Sequence, residues 1–124
     1  MKLNNTLYHL LALKRNADSV NATLQLLPDS IIYHAHFPNH PITPGVCITQ
    51  MAVEIMEEAL GTCLMMKRAK NVKFLSIITP EVTTVVEYDI SNIRQEDGNV
   101  TFQCVVKNEK TVFAKLSLTC EERH

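Results

Sequence analysis

Hydrophobic and polar positions near the start of the chain predict two extended segments. Residues 7–14 are mostly apolar, and residues 20–27 alternate apolar and polar positions as a half-buried strand does. A polar turn at residues 16–19 separates them. After the break at Pro28 and Asp29, residues 31–34 are expected to form a short extended continuation. The pattern therefore opens with two strands.

The next pattern predicts one long helix over residues 45–66, which begins at Pro44-Gly45 and contains no internal proline. At about 100° per residue, its apolar positions cover a very wide arc. Its methionines are expected to fill the core. The polar positions form one narrow stripe that includes Gln50, Glu54 and Gly61. A helix this apolar requires other elements to wrap around it.

The remainder predicts four strands, over residues 72–78, 82–93, 100–107 and 111–119, with turn signals between them. Short connections favour antiparallel pairing. The chain of 124 residues is therefore expected to form one domain, residues 1–124, of the α+β class, in which a curved antiparallel sheet wraps one long central helix.

Composition narrows the class of function. The formal net charge of −1 gives no indication of nucleic-acid binding. The first residues lack a small-residue cleavage site, and no apolar run approaches the roughly 20 residues of a membrane span, so we expect a cytoplasmic protein. Four scattered cysteines form no CxxC pair, so buried free thiols are expected and no metal site.

The most informative segment is residues 36–46, HFPNHPITPGV, directly before the helix. It resembles the HFPGHPxxPGV signature of the 3-hydroxyacyl-acyl-carrier-protein dehydratases, with Asn39 in place of a glycine. Residues 27–35 are similar to the strand that leads into this motif, and residues 71–88 to the strand and proline turn that follow the helix. The resemblance implies a hot-dog fold and elimination of water from a 3-hydroxyacyl thioester, without metal or organic cofactor.

The resemblance also implies a division of roles. His36 is the candidate base, since an imidazole titrates near neutral pH. The first amides of the helix, at Gly45 and Val46, suit the developing enolate oxygen because they lie unpaired at the positive end of the dipole. The family's histidine also bonds a loop carbonyl, which points to Ile42. Phe37 and Pro44 complete the predicted substrate-binding set.

The acid is where this sequence departs from the resemblance. The family carries Glu or Asp fourteen positions after the histidine and a glutamine one turn later, whereas this chain has Gln50 and Glu54. An amide cannot donate a proton as a carboxylic acid does. Three outcomes stay open: Glu54 is a relocated acid, His36 works with water held by Gln50, or the chain is a non-catalytic acyl-binding or partner subunit.

Other expectations concern assembly and docking. His34 and His40 are interpreted as structural neighbours of His36. The basic residues of segment 67–73 are expected at the helix end, where they could dock an acidic carrier protein; they are Lys67, Arg68, Lys70 and Lys73. The resemblance implies a homodimer or larger homo-oligomer with the site shared between subunits. A hot-dog thioesterase is the alternative enzyme.

Overall fold

The computed structural model describes residues 2–36, 39 and 41–123, and of His36 the backbone only. Within this part of the chain, six strands and two helices follow one another. They are β1 (Tyr8–Arg15), β2 (Val20–Leu26), α1 (Ile31–His36), α2 (Gly45–Leu60), β3 (Cys63–Phe74), β4 (Val85–Glu96), β5 (Asn99–Lys107) and β6 (Val112–Arg123). The strands form one antiparallel sheet in the order β1-β2-β4-β5-β6-β3.

The first two predicted strands are confirmed. β1 and β2 pair with Tyr8 opposite Leu26 and Arg15 opposite Val20. The predicted turn between them is closed by a hydrogen bond from the Asn16 amide to the Ser19 carbonyl oxygen, at 2.9 Å. The alternation in β2 has the expected consequence, since its apolar positions are buried and the polar ones between them are not.

The predicted extended continuation at residues 31–34 is wrong, because this segment is the short helix α1. Ser30 begins it: its hydroxyl oxygen accepts the Ile32 amide at 3.3 Å and its carbonyl oxygen accepts the Tyr33 amide at 3.1 Å. Tyr33 is buried. The serine after Pro28-Asp29 was therefore a helix start signal, and it outweighed the β-branched residues that favoured a strand.

The long helix begins where predicted and ends earlier. α2 has 16 residues and stops at Leu60, because Gly61 adopts the left-handed conformation with φ of 69° and its amide bonds the Glu57 carbonyl oxygen. Residues 61–66 were wrongly included in the helix. Met65 and Met66, expected in the core, lie on β3 and are about 40% exposed (39% and 42%).

The chain after α2 forms a meander flanked by an edge strand. β4, β5 and β6 pair in succession, and Asp97 and Gly98, both with positive φ, make the tight turn between β4 and β5. β3 pairs with β6 at the outer edge. The predicted strand over residues 72–78 overlaps only the end of β3, which starts nine residues earlier at Cys63.

One face of the sheet packs against α2. Met51, Ile55 and Met56 of the helix are fully buried, as is Tyr88 of β4. The Tyr88 hydroxyl donates a hydrogen bond to the Ile48 carbonyl oxygen at 2.8 Å, which ties the middle of the sheet to the helix. The α+β class with an antiparallel sheet around a helix is confirmed, although the helix is shorter than predicted.

The cysteines follow the prediction in part. All four are free thiols, and burial raises the pKa of Cys104 and, to about 11, that of Cys120. Cys63 is the exception because it is exposed at the start of β3. It was expected in the buried helix, so its exposure follows from the early helix end.

Candidate active site

A groove of about 320 Å³ opens beside the start of α2. Ile42, Thr43, Gly45 and Ile48 line one side, and residues 74–78, which lead out of β3, line the other. The two sides are joined by a hydrogen bond from the Thr43 amide to the Ile78 carbonyl oxygen, at 2.9 Å. The groove is therefore built by the segment that carries the sequence motif and by the strand that follows the helix.

The start of α2 is the positive end of the helix dipole, and no acidic side chain of the first turn neutralises it. Pro44 is the N-cap and provides no side-chain acceptor, and the first turn holds no acidic residue. The Pro44 carbonyl oxygen accepts hydrogen bonds from the Cys47 and Ile48 amides, both at 3.0 Å. The two preceding amides, of Gly45 and Val46, have no acceptor within a helix. They can therefore bind an oxygen that gains negative charge.

Gly45 has a steric reason to lack a side chain. A Cβ atom at this position would lie 2.8 Å and 2.9 Å from the Cζ and Cε2 atoms of Phe74. The ring of Phe74 therefore lies against the helix start, although the residue is 51% exposed. Phe74 was not among the predicted site residues, and no pattern in β3 distinguished it from an ordinary strand residue.

His36 is the last residue of α1, and its side chain lies outside the described residues, as do Phe37, Pro38 and His40. The helix that carries it is fixed by Tyr33, whose hydroxyl is 2.8 Å from the Thr43 hydroxyl. Burial raises the pKa of Tyr33 to about 12. The catalytic role of His36 stays a prediction. His34 lies on the same helix and not on the extended segment that was predicted for residues 31–34.

Gln50 and Glu54 are brought together as the helix spacing requires. The Gln50 amide nitrogen donates to Glu54 Oε2 at 3.1 Å. Gln50 is half-buried, whereas Glu54 is only 5% exposed. The two side chains therefore form one hydrogen-bonded pair on the same face of α2.

Glu54 also binds the first residues of the chain. Its Oε2 accepts the Leu3 amide at 2.8 Å, and its Oε1 accepts the Asn4 amide at 2.9 Å and the Tyr8 hydroxyl at 3.0 Å. Burial and then the Glu54 charge raise the pKa of Tyr8, which keeps this hydroxyl a donor. Sequence reasoning missed Tyr8, since these contacts join positions about 50 residues apart.

The remaining predicted residues are separated from this unit. Ile42 and Gly45 line the groove, Pro44 is the N-cap of α2, and Val46, in the first turn of α2, is 75% exposed. The basic residues are exposed but do not end the helix, because all four lie on edge strand β3; they are Lys67, Arg68, Lys70 and Lys73. Helix-dipole complementarity is therefore the wrong reason for their position.

No group of three or more His, Cys, Asp or Glu residues in the part of the chain that the structure describes is arranged to hold a metal ion. Among the helices described, none has both the length and the apolar character that crossing a membrane requires.

Most of the chain is similar to known dehydratases. A family described as ApeI-like, ApeI dehydratase, matches residues 12–117. The 3-hydroxyacyl-[acyl-carrier-protein] dehydratase FabZ of Wolbachia pipientis wMel is 26% identical over 118 residues, which covers 85% of this chain and 78% of the relative. FabZ of Fusobacterium nucleatum is 24% identical over 115 residues, covering 89% and 80%.

Solved structures share the fold at low identity. A chain of the dehydratase heterocomplex ApeI:P from Xenorhabdus doucetiae superposes with a TM-score of 0.67 at 16% identity and covers 92% of this chain and 97% of its own. A hypothetical thioesterase with coenzyme A from Streptococcus pneumoniae gives 0.65 at 13% identity, with coverage of 94% and 85%. These likenesses confirm the hot-dog fold and do not separate the two activities. The family match spans most of the sequence and does separate them: the chain belongs to the ApeI-like dehydratase family.

Proposed function

We propose that this protein eliminates water from 3-hydroxyacyl thioesters carried on acyl carrier protein, giving trans-2-enoyl thioesters in fatty-acid or polyene-type biosynthesis. His36 takes the proton from C2, the C3–oxygen bond breaks, the C2–C3 double bond forms, and the hydroxyl leaves as water. The observation that carries the proposal is the helix start beside the groove, where the first turn of α2, which contains the Gly45 and Val46 amides, holds no acidic residue. These amides would hold the thioester oxygen as it gains charge.

Gln50 is the polar partner that we place at C3. Glu54 is occupied by three donors from the N-terminal segment and one from Gln50, so its carboxylate is held away from the role of a mobile acid. This favours the second of the three outcomes, in which His36 works with water held by Gln50. Without a carboxylic acid the rate would fall by about 10²–10⁴ if nothing replaced it.

A homodimer is proposed from the edge strand β3. Nearly all of its residues are exposed, among them Met65, Met66 and Phe74. A long, partly apolar edge strand is a surface on which a second chain readily pairs. A heterocomplex is named for the ApeI:P dehydratase of Xenorhabdus doucetiae, so a related but different partner subunit is the competing assembly.

The assembly is tested by analytical ultracentrifugation. Met65→Lys combined with Met66→Lys is expected to shift the sedimenting species from dimer to monomer. Leu11→Lys is the matched control, since Leu11 is 53% exposed on β1 at the opposite edge of the sheet. A dimer that survives the double substitution would contradict the β3 interface, and a monomeric parent protein would favour a different subunit as partner.

Carrier docking is proposed for the basic residues of β3. Substitution of all four basic residues by alanine is expected to slow the encounter with the carrier and to lower kcat/KM for the carrier-bound substrate by about 10-fold or more. The loss in kcat/KM should be smaller at high salt. The same substrate on coenzyme A should change little. Lys14→Ala with Lys110→Ala is the control, because both lysines are exposed elsewhere; the substituted residues are Lys67, Arg68, Lys70 and Lys73.

The activity is tested with 3-hydroxyacyl and saturated acyl thioesters, by following enoyl absorbance and free thiol together. His36→Ala is expected to abolish enoyl formation, whereas His34→Ala, on the exposed side of the same helix, should retain it. Thiol release without enoyl product would favour a thioesterase. Ligand retention with neither product would favour a non-catalytic acyl-binding subunit.

A further inference from the structure

The outer face of the sheet, on the side away from α2, carries a concentration of positive charge. On β5 and β6 the buried apolar positions face α2, so the residues between them point outward. Residues that are paired across neighbouring strands point to the same side of the sheet. Five cations occupy or pair with these outward positions, and we call them the basic face; they are Arg68, Lys70, Lys73, Arg94 and Lys115.

The basic face forms rows across the neighbouring strands β3, β6, β5 and β4. Arg68 and Arg94 lie at the two ends of the first row, Lys70 begins the second, and Lys73 is paired with Lys115 in the third. The outward residues between the cations of the first two rows carry hydroxyl or amide groups; they are Thr101, Gln103, Ser117 and Thr119.

Hydrogen-bond donors predominate in the middle of the basic face. Two shallow depressions of about 380 Å³ and 350 Å³ lie there, and both are lined by Gln103 and Ser117. The Asn92 side-chain amide donates to Gln103 Oε1 at 2.7 Å, so Gln103 keeps its NH₂ group for a ligand. Ammonium, guanidinium, hydroxyl and amide donors are the groups that bind phosphate oxygens.

Carboxylates lie only at the margins of the basic face. Glu96 and Glu121 are one row beyond the first, and Asp89 is 3.6 Å from Lys107. Among the described residues, no ion pair joins a carboxylate to any of the five cations. An ordinary solvated surface intersperses both signs of charge. The separation of charge is therefore a specific property of this face, since the whole chain has one more acidic than basic residue.

The dimensions of the basic face indicate the kind of anion that fits it. Four neighbouring strands span about 14 Å, and three rows extend over a similar distance along the strands. Cations that are so far apart cannot converge on one phosphate group. As the structure describes them, the outward residues of the first two rows include no aromatic or aliphatic side chain, whereas the centre of a protein interface is usually apolar. An extended array of phosphates matches this face better than a small ligand or a protein.

We propose that the basic face binds the surface of an anionic phospholipid membrane. The negative surface potential of the lipid attracts the cations, and the hydroxyl and amide groups between them contact lipid phosphates. The groove lies beside α2, on the other side of the sheet, so it stays open while the outer face is on the membrane. The inference does not depend on the proposed dehydration.

Cosedimentation with lipid vesicles tests the proposal. The protein should bind vesicles that contain phosphatidylglycerol at about 0.1 M salt, dissociate as the salt is raised, and leave phosphatidylcholine vesicles unbound. Arg94→Gln with Lys115→Gln should weaken the binding by about 10- to 30-fold, since each cation near the membrane contributes about 5-fold. The charge-conserving variant Arg94→Lys with Lys115→Arg should bind as the parent does.

The matched control is Lys14→Gln with Lys110→Gln, which removes the same net charge and should leave vesicle binding unchanged. Lys14 lies on β1 at the opposite edge of the sheet from β3, and Lys110 lies between β5 and β6. An equal loss of binding in the control and in Arg94→Gln with Lys115→Gln would overturn the basic face as the contact.

Arg94 and Lys115 also separate the membrane from the carrier, because neither belongs to the proposed carrier-docking segment, residues 67–73. Their double substitution by glutamine should leave the melting temperature and kcat/KM for the carrier-bound substrate near the parent values. A parent protein that does not bind phosphatidylglycerol vesicles would overturn the proposal. A loss of carrier-dependent turnover without vesicle binding would assign these cations to the carrier instead.

Two competitors test the nature of the anion. Inorganic phosphate at constant ionic strength should not displace the protein from vesicles, and displacement would overturn the extended contact in favour of a discrete phosphate site. Duplex DNA should bind more weakly than the vesicles do. Tighter binding to DNA, lost in Arg94→Gln with Lys115→Gln, would overturn the proposal in favour of a nucleic acid.

Discussion

Gly45→Ala separates the packing role of this glycine from its role beside the substrate. The added methyl group would lie 2.8 Å from the Phe74 ring, about 0.6 Å inside the lower limit of ordinary contact at 3.4 Å. Overpacking costs about 1–3 kcal/mol when neighbours are held. Phe74 is half-exposed, so its ring can swing away, and alanine gains up to about 1 kcal/mol in helix propensity. We expect a net loss of at most about 1 kcal/mol in unfolding free energy.

The effect on activity should be far larger than the effect on stability. A methyl group beside the Gly45 amide is expected to hinder a thioester that binds this amide, so kcat/KM is expected to fall by about 10²-fold or more. Urea denaturation measures the unfolding free energy, and enoyl absorbance measures kcat/KM. The double variant Gly45→Ala with Phe74→Ala should regain the unfolding free energy that the clash removed. It should stay inactive, whereas the single variant Phe74→Ala should be active. A double variant that recovers the activity of Phe74→Ala would refute close thioester approach at Gly45.

Three further predictions concern the fold. Tyr88→Phe should lower the unfolding free energy by about 1–2 kcal/mol, because the Ile48 carbonyl oxygen loses a buried donor; no change in urea denaturation would contradict this bond. Gly61→Ala should cost about 1–2 kcal/mol, since φ of 69° strains a side chain, whereas Thr62→Ala should cost less by the same measurement. In the native protein, maleimide should label Cys63 at neutral pH and leave the buried thiols protonated and unlabelled until urea unfolds the chain; they are Cys47, Cys104 and Cys120.

Local patterns were enough to predict most of the sheet. The alternation in β2 and the turn signal between the predicted strands 82–93 and 100–107, which is Asp97-Gly98, each determine structure over a few residues, and both predictions are confirmed. The errors lie where two local signals compete. Ser30 capped a helix in a segment rich in β-branched residues, and Gly61 ended α2 although apolar residues continue on the helix period beyond it. In both places a single capping residue outweighed the periodicity.

The candidate site could be located from sequence only where its residues are contiguous. The motif at residues 36–46 identified the helix start and the adjoining loop, because these positions follow one another along the chain. Phe74 reaches Gly45 from β3, and no local pattern predicts which strand residue does so. The donors to Glu54 are equally distant in sequence. The residues of the site that are distant in sequence could therefore be identified only once the fold was known.

The exchange of Gln50 and Glu54 follows from those distant donors. The Leu3 and Asn4 amides bind different oxygens of residue 54, so both terminal atoms of this side chain must be acceptors. A glutamine cannot meet this requirement, because its terminal nitrogen is a donor. Once residue 54 is a carboxylate, a carboxylate at position 50 would face it across one helical turn. Glutamine at position 50 is thus the residue compatible with an anchored N-terminal segment.

This reasoning predicts the stability of Gln50→Glu. Two carboxylates in the place of the present 3.1 Å bond would raise each other's pKa in the folded protein relative to the unfolded chain. An acid whose pKa is raised on folding destabilises the folded state above that pKa and ceases to do so as the pH falls. The variant should lose about 1 kcal/mol or more at pH near 7 and regain it toward pH near 5 in urea denaturation. A deficit that stays constant over this range, or grows as the pH falls, would show that Glu54 does not constrain residue 50.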